Sequence, residues 1–447
     1  MKRHLVVLTA LTAIVIAVSY IGWSSTTDRV ATTGSRSNGH AAELDHRELG
    51  RLIGSYESRV RIHPNAADFA FLGQLYLRRG RETGDIGTYL QAQGAVDQAL
   101  TLDPTDLGVR IESAGLRYTT HDFPGALAIA DNILSANPHD VGALVIAGDA
   151  QLELGRYPGA ARAYTTVAGG APDAPAIEVR LARLDYVQGK VEEARHMAAK
   201  ALDDAVASAL GGTDLAYYEA YRGQVEFDSG HYDSATAMYR RALTEAPGYY
   251  VALAGMGRAR AAEGKLDDAI SWFEKAVAAV PQPDFLSALG DLYTLKGEVA
   301  KARVEYGTVE VIAKLAALNR QVYNRLLAQY YADHGLNASA AVGLTETELA
   351  VRKDVFGYDA YAWALYQSGD YVRARTASDQ ALAQGTVDAR LLYHSGLIAR
   401  ATGDLVRARA DLSRALAISP RFDPVQAPRA RAALDALRTR AASASSR

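Results

Sequence analysis

The chain has 447 residues, with 48 Lys and Arg against 51 Asp and Glu, a net charge of −3 and no cysteine. The near-neutral balance argues against a nucleic-acid surface, which needs a concentrated excess of basic side chains to displace counterions. A sequence without cysteine excludes disulfides, thiolate metal sites and a cysteine nucleophile. With 49% hydrophobic residues the chain can bury a large core, so a wholly disordered protein is excluded as well.

The N-terminus carries a candidate membrane segment. Lys2 and Arg3 precede an uncharged run at residues 5–23. As a helix this run would be about 28 Å long, close to the hydrocarbon thickness of a bilayer. The basic residues should stay in the cytoplasm, which predicts that everything after the run lies across the membrane. We therefore expect residues 1–23 to be a signal anchor and 24–43 a flexible tether. A cleaved signal peptide, giving a secreted protein, and a buried core helix are the alternatives.

Prolines and glycines recur at a fixed interval through the rest of the chain. Pro104 and Pro138 are 34 residues apart, and so are Gly335, Gly369 and Gly403. A period of 34 residues with helical patterning is the length of a helix–turn–helix repeat.

When the chain is aligned on this period, each repeat contains two helices. Each of these helices carries a small residue at one fixed position. In the first helices this residue is Gly73, Ala114, Gly148, Ala182, Gly223, Gly257, Gly290, Ala328, Ala362 or Gly396. In the second helices it is Ala92, Ala126, Ala160, Ala194, Ala235, Ala269, Ala302, Ala340, Ala374 or Ala408. Two helices approach closely only where neither carries bulk, so these positions predict the helix crossings. Four large side chains are expected to fill the space around the crossings: Tyr164, Tyr239, Phe273 and Tyr306.

This pattern resembles the tetratricopeptide repeat family over residues 65–420. The likeness rests on Leu72-Gly73 with Tyr76, Leu289-Gly290 with Tyr293, Gly230-His231-Tyr232 with Ala235, Gly369-Asp370-Tyr371 with Ala374, and the closing prolines. It implies an all-α fold, a right-handed α-solenoid of about ten helix–turn–helix repeats. Extra residues near 81–87, near 207–213 and between Gly297 and Gly335 predict long helices or irregular packing there.

The whole solenoid is expected to span residues 44–440, with helical end caps because a terminal repeat exposes an apolar face. An amphipathic helix at 44–62 should cap the first repeat, and a helix at 427–440 the last. Residues 441–447 are expected to be a disordered tail. The segment from Pro420 to Pro428 looks like the closing stretch of exported bacterial members of the family.

The resemblance implies that the first helices line a concave binding groove. The inward stripe of these helices carries seven aromatic residues: Tyr118, Tyr186, Tyr217, Phe227, Trp363, Tyr366 and Tyr393. Aromatic side chains are enriched at binding surfaces, so we predict that this stripe holds a protein or peptide partner. Packing against neighbouring helices is the alternative. The Lys/Asn/Arg clamp with which one branch of the family captures acidic tails is absent from the matching positions.

Chemistry beyond binding is not indicated by the sequence. The ten histidines form no metal-ligand motif, and Gly255-Met256-Gly257 falls inside a first helix, where packing explains it better than a phosphate loop. The C-terminal arginines, Arg421, Arg429, Arg431, Arg438 and Arg440, are either a solvated cap or a surface for an acidic partner or lipid headgroups.

We therefore expect a non-catalytic, membrane-tethered and extracytoplasmic interaction scaffold, not an enzyme. Its membrane contact would run through residues 5–23, and no cofactor, metal, nucleic acid or small-molecule substrate is expected. A cytosol-facing regulatory scaffold and an accessory subunit of an enzyme complex are the alternatives.

Overall fold

The computed structural model describes residues 46–83, 86–171, 174–318 and 324–445. The predicted signal anchor (1–23) and tether (24–43) lie outside these ranges. The described residues are helical and contain no strand, which confirms the all-α fold expected from the sequence. Among them, no helix is both long enough and apolar enough to cross a membrane.

Twenty of the twenty-two helices in the described ranges pair into ten helix–turn–helix repeats. The first helices are α2 (Ala66–Thr83), α4 (Leu107–Thr119), α6 (Val141–Glu153), α8 (Pro175–Val187), α10 (Gly212–Asp228), α12 (Tyr250–Ala262), α14 (Pro283–Leu295), α16 (Asn324–Asp333), α18 (Val355–Ser368) and α20 (Ala389–Ala401). The second helices are α3 (Ile86–Leu102), α5 (Phe123–Ala136), α7 (Tyr157–Gly170), α9 (Val191–Ala207), α11 (Tyr232–Glu245), α13 (Leu266–Ala279), α15 (Val299–Leu318), α17 (Ala338–Val351), α19 (Tyr371–Ala381) and α21 (Leu405–Ile418).

One further helix stands at each end of the repeats. Helix α1 (His46–Ile62) precedes the first repeat and α22 (Gln426–Ser445) follows the last. Helix α22 continues through residues 441–445, where the sequence predicts the start of a disordered tail. The chain divides into two compact units, residues 1–171 and 172–447. The first unit contains α1 and repeats one to three, and the second contains repeats four to ten and α22.

Aspartate begins many of these helices. The carboxylates of Asp106, Asp140 and Asp354 accept hydrogen bonds from the backbone N–H three residues further on, at 3.1, 2.9 and 2.7 Å. Such an N-cap satisfies a donor that the helix leaves unpaired, and its negative charge complements the helix dipole. Local sequence therefore sets where these helices start.

The helices of a repeat cross where the small residues were predicted. Nine of the ten second-helix alanines are at most 3% exposed, Ala340 being the exception. A Cβ atom added at Gly148 would lie 2.4 Å from the ring of Tyr164, and one added at Gly290 would lie 2.4 Å from Tyr306. The glycines at 223 and 257 face Tyr239 and Phe273 in the same way. The large rings thus occupy the space that the missing side chains leave.

Repeat eight departs from the alignment by one residue. Ala340, expected at the crossing, is partly exposed, whereas Ala341 is fully buried. Asn337 adopts a left-handed conformation with φ 38°, and α17 begins three residues after Gly335, rather than two as after the other turn glycines. The longer turn moves the small position along the helix by one residue.

The insertions noted in the sequence lengthen helices. Helices α9 and α10 have 17 residues each and α15 has 20, whereas a regular first or second helix such as α12 or α13 has 13 or 14. Repeat one likewise has helices of 18 and 17 residues, on either side of the undescribed residues 84–85.

The second unit closes on itself, because the turns of repeats four and five touch the connections on either side of repeat ten. Tyr186 donates a hydrogen bond to Asp388 Oδ2 at 2.8 Å, and Thr386 Oγ1 donates to the carbonyl of Val187 at 2.5 Å. We call the residues of these two contact points, 186–189 with 385–388 and 230–232 with 418–421, the closure interface.

The second contact point of the closure interface centres on Tyr232. Its hydroxyl accepts a hydrogen bond from the backbone N–H of Arg421 at 2.8 Å and lies 2.9 Å from Ser419 Oγ. The Arg421 guanidinium lies 4.5 Å above the ring of Tyr232, which adds a cation–π contact. The repeats of this unit therefore do not form an open superhelix.

Candidate functional site

Five of the seven predicted groove residues are buried. Their exposed fractions are 3% for Tyr118, 9% for Tyr186, 4% for Phe227, 3% for Trp363 and 1% for Tyr393, whereas Tyr217 and Tyr366 are partly exposed. The expectation of an open aromatic stripe is therefore wrong for these five side chains, because neighbouring helices and the closure interface cover them. Their part in binding a partner stays a prediction.

The structure distributes four of the seven residues away from any common site. Tyr118 lies in the first unit. Tyr186 belongs to the closure interface in the second unit, and Phe227 packs edge-on against Tyr232 of that interface, with ring centroids 5.4 Å apart. Tyr217 packs edge-on against Tyr218, with ring centroids 5.0 Å apart.

The other three predicted residues line one pocket of about 440 Å³ in the second unit. It lies where the first helices α18 and α20 meet α22, a helix outside the repeats. The lining residues are Trp363, Tyr366, Gln367, Tyr393, Leu397, Arg400, Arg429, Ala432 and Ala433. We call this site the aromatic pocket.

Three stacked rings position the floor of the aromatic pocket. Trp363 lies between Tyr366, at a centroid distance of 4.9 Å and 6° between planes, and His394, at 4.2 Å and 13°. His394 Nδ1 lies 3.0 Å from both carboxylate oxygens of Asp359, and both residues are buried. A buried polar group needs such a partner, so the Asp359 carboxylate fixes the His394 ring that stacks on Trp363.

Asp333, at the end of α16, fixes the orientation of the indole. Its Oδ1 accepts hydrogen bonds from Trp363 Nε1 and from Gln426 Nε2, both at 2.8 Å. Burial raises the pKa of the Asp333 carboxyl, while the charges of Arg390 and His394 oppose that shift. One carboxylate thus ties α16, α18 and the start of α22 together around the pocket.

Two arginines supply the charge of the aromatic pocket. Arg400 on α20 and Arg429 on α22 are exposed, and neither side chain forms an ion pair or hydrogen bond with another described residue. Burial raises the pKa of Tyr393 to about 12, although the charge of Arg429 favours its ionised form. Tyr393 therefore remains a neutral phenol at physiological pH. The site combines a fixed apolar floor with two available cations.

A second pocket, of about 370 Å³, lies in the first unit between α3, α4 and α5. It is lined mainly by apolar side chains, among them Leu100 and Ile129. Its arginine, Arg110, already donates a hydrogen bond to Asn132. This pocket lacks the free charge and the fixed rings of the aromatic pocket.

Several residues that build the aromatic pocket were missed in the sequence. Asp333, His394 and Asp359 lie on three different repeats, and no spacing in the chain links them. The sequence indicates Arg429 only as part of a basic C-terminus, and no pattern in it marks Arg400. The position of Arg429 beside the rings depends on how α22 docks on the last repeats, and no periodic pattern predicts that docking.

Comparisons with known proteins agree on the type of repeat. One family model, described as a tetratricopeptide repeat, matches residues 151–210 and 226–292, and a second with the same description matches 114–175 and 360–421. No curated protein sequence matches the chain.

Solved structures similar to this chain are distant. A tetratricopeptide repeat protein from Parabacteroides merdae is 18% identical over 53% of this chain and 88% of its own, with a TM-score of 0.43. The human IFIT1 dimer with m7Gppp-AAAA is 15% identical over 92% of this chain and 99% of that chain, with a TM-score of 0.46. The type IV pilus biogenesis factor PilW is 21% identical over 49% of this chain and 95% of that chain, with a TM-score of 0.37. Likeness at these levels carries no information about partners.

Proposed function

The chain is a member of the tetratricopeptide repeat family, and from that premise we propose that it is a non-catalytic interaction scaffold that binds a peptide segment of a partner protein. Stacked repeats of this kind present a large pre-formed surface to other proteins. The observation that carries the proposal is the aromatic pocket, in which three aromatic side chains lie beside two exposed guanidiniums. The partner segment would bind there rather than along an open stripe.

The composition of the aromatic pocket supports this role. Tryptophan, tyrosine and arginine dominate the binding energy at protein interfaces more often than other residues. The rings of Trp363 and Tyr393 are already buried and held, so a ligand does not have to order them. Binding to a pre-ordered surface loses less conformational entropy than binding to a mobile one.

Photo-crosslinking tests the proposed function. A photoreactive residue in place of Ala432, which is exposed and lines the pocket, should capture a discrete partner in the full-length chain. The control position is Val406 on α21, which is 81% exposed and lies outside the pocket. Tyr366→Ala should reduce capture at position 432. The same adduct from both positions, or no adduct at position 432, would contradict the proposal.

We also propose that the scaffold is membrane-tethered, with its repeats outside the cytoplasm. The support is the uncharged run 5–23 behind Lys2 and Arg3. A reporter that is active only outside the cytoplasm, fused after Ala42, should then be active. If only a cytoplasmic reporter works at that junction, the alternative of a cytosol-facing regulatory scaffold is favoured instead. N-terminal sequencing of the protein recovered from the membrane and from the soluble fraction separates an anchor from a cleaved signal peptide.

A further inference from the structure

We propose that the aromatic pocket takes an acidic peptide segment, in which an apolar side chain is flanked by Asp or Glu. This inference rests on the proposed function and adds the chemistry of the partner. Among the nine described residues that line the pocket there are two arginines and no carboxylate. The site is therefore positive at its surface, although the whole chain carries a net charge of −3.

Two other arginines near the aromatic pocket are already engaged within the chain. Arg407 bonds to Asp411 at 3.1 Å, and Arg431 donates to the carbonyl of Pro420 at 2.7 Å. Arg400 and Arg429 are exposed and form no such bond with any residue the structure describes. A guanidinium can donate two parallel hydrogen bonds to one carboxylate, so these two unpaired guanidiniums favour a ligand with acidic side chains.

The apolar part of the pocket favours a peptide over a free anion or a lipid surface. Trp363, Leu397 and Ala433 give the pocket an apolar lining that a bare phosphate would leave empty. Recognition of anionic lipid headgroups typically uses clusters of about 4–8 basic residues, and here two line the site. Arg429 also belongs to α22, outside the repeats, so the site is unrelated to the acidic-tail clamp that the sequence lacks.

A set of matched peptides tests the charge preference. The probes are short acetylated, fluorescein-labelled peptides with a central Leu between Glu residues, and the same peptides with Gln or Lys in place of Glu. Anisotropy with the full-length chain in detergent should show binding of the Glu peptide on the order of tenfold tighter than the Gln peptide. This difference should shrink as NaCl rises from about 50 to about 500 mM, because exposed charges are screened.

Charge reversal provides the decisive variant. Arg400→Glu with Arg429→Glu should reverse the preference, so that the Lys peptide binds more tightly than the Glu peptide. The control is Arg409→Glu with Arg414→Glu, because these α21 arginines are also exposed and lie outside the pocket. The control should keep the preference of the unaltered protein.

Three results would overturn the inference: equal binding of the Glu and Gln peptides, no binding of any probe, or an equal loss of the preference for Glu in the control. Displacement of the Glu peptide by phosphatidylglycerol vesicles but not by unlabelled peptide would overturn it too.

Crosslinking at position 432 separates this inference from the proposed function. Capture of a partner by the unaltered protein, lost on reversal of Arg400 and Arg429, supports both. Capture retained after charge reversal leaves the scaffold in place and overturns the acidic partner. No capture in either protein overturns the scaffold itself, and the acidic partner with it.

Discussion

Tyr186 and Asp388 are 202 residues apart in the chain, and their side chains meet in a 2.8 Å hydrogen bond. Asp388 uses its other oxygen, Oδ1, to cap α20 by accepting from the N–H groups of Arg390 and Leu391 at 2.9 and 3.0 Å. One carboxylate therefore starts the first helix of repeat ten and joins it to repeat four. In a simple solenoid each repeat touches only its neighbours, so this bond adds a non-local link.

The closure interface should be sensitive to a single methyl group. Gly230 has φ 82°, and a Cβ there would lie 2.3 Å from the carbonyl oxygen of Ile418. Gly264 has φ 77° at the same position of the next repeat, with nothing within 4 Å. Both Gly→Ala changes strain a left-handed residue, at about 1 kcal/mol. In chemical denaturation, Gly230→Ala should lower the free energy of unfolding clearly more than Gly264→Ala, because it also breaks the contact with Ile418.

Hydrogen exchange locates the effect of Gly230→Ala. We expect faster exchange both in the turn before α11 and at the end of α21, although these segments are far apart in sequence. Gly264→Ala should speed exchange only around its own turn. Equal stability losses, with local exchange in both variants, would show that the closure interface does not form in solution.

Asp228 should make the second unit less stable as pH rises from about 4 to 6. Burial, and next the negative charge of Asp388, raise the pKa of the Asp228 carboxyl from 3.8 to about 6. The hydrogen bond from Gln224 and the charges of Arg258 and Arg390 act in the opposite direction. Between the unfolded and the folded pKa the native state holds the extra proton, so stability is lost as pH rises through that window. Asp228→Asn keeps the shape without the charge. In urea titrations, the free energy of unfolding of this variant should exceed that of the unaltered protein by on the order of 1 kcal/mol at pH 8, and by little at pH 4. A gain that does not depend on pH would assign the effect to something other than ionisation.

Trp363→Ala should destabilise the protein strongly, in contrast to the expectation from an open groove. The indole is 3% exposed, and replacing a buried large aromatic residue by alanine costs about 3–5 kcal/mol. Trp363→Phe keeps most of the packing but loses the bond to Asp333, so it should cost about 1–2 kcal/mol. Thermal and denaturant unfolding measure both. If Trp363→Ala is as stable as the unaltered protein, the indole is not packed as the structure has it.

Ala269→Leu should disrupt one helix crossing. Ala269 is fully buried, and overpacking a core typically costs about 1–3 kcal/mol. Ser271→Leu on the same helix adds similar bulk at an exposed position and should change stability by less than about 0.5 kcal/mol. Scanning calorimetry and hydrogen exchange should place the loss in repeats five to seven. Similar melting of the two variants would remove Ala269 from the crossing.

The repeats and their crossings were predictable because they depend on neighbours in the chain. Gly148 and Tyr164 are 16 positions apart within one repeat, and their small–large pairing recurs with the 34-residue period. The one-residue shift to Ala341 was not predictable, because a left-handed Asn337 lengthens its turn without changing the period of the glycines. The local pattern therefore predicts which helices pair, but it does not predict the length of each turn.

The sequence by itself determined that the chain is a stack of helix pairs, since a period, a small residue and a helix stop all act over one or two turns of helix. Only the tertiary structure decided that Tyr186 reaches Asp388 and that Trp363 is covered while Arg400 and Arg429 stay free. Small rotations between successive repeats add up over the second unit, and no single repeat records their sum. That sum places repeat four against repeat ten, and the docking of α22 on the last repeats turns a predicted open stripe into a pocket.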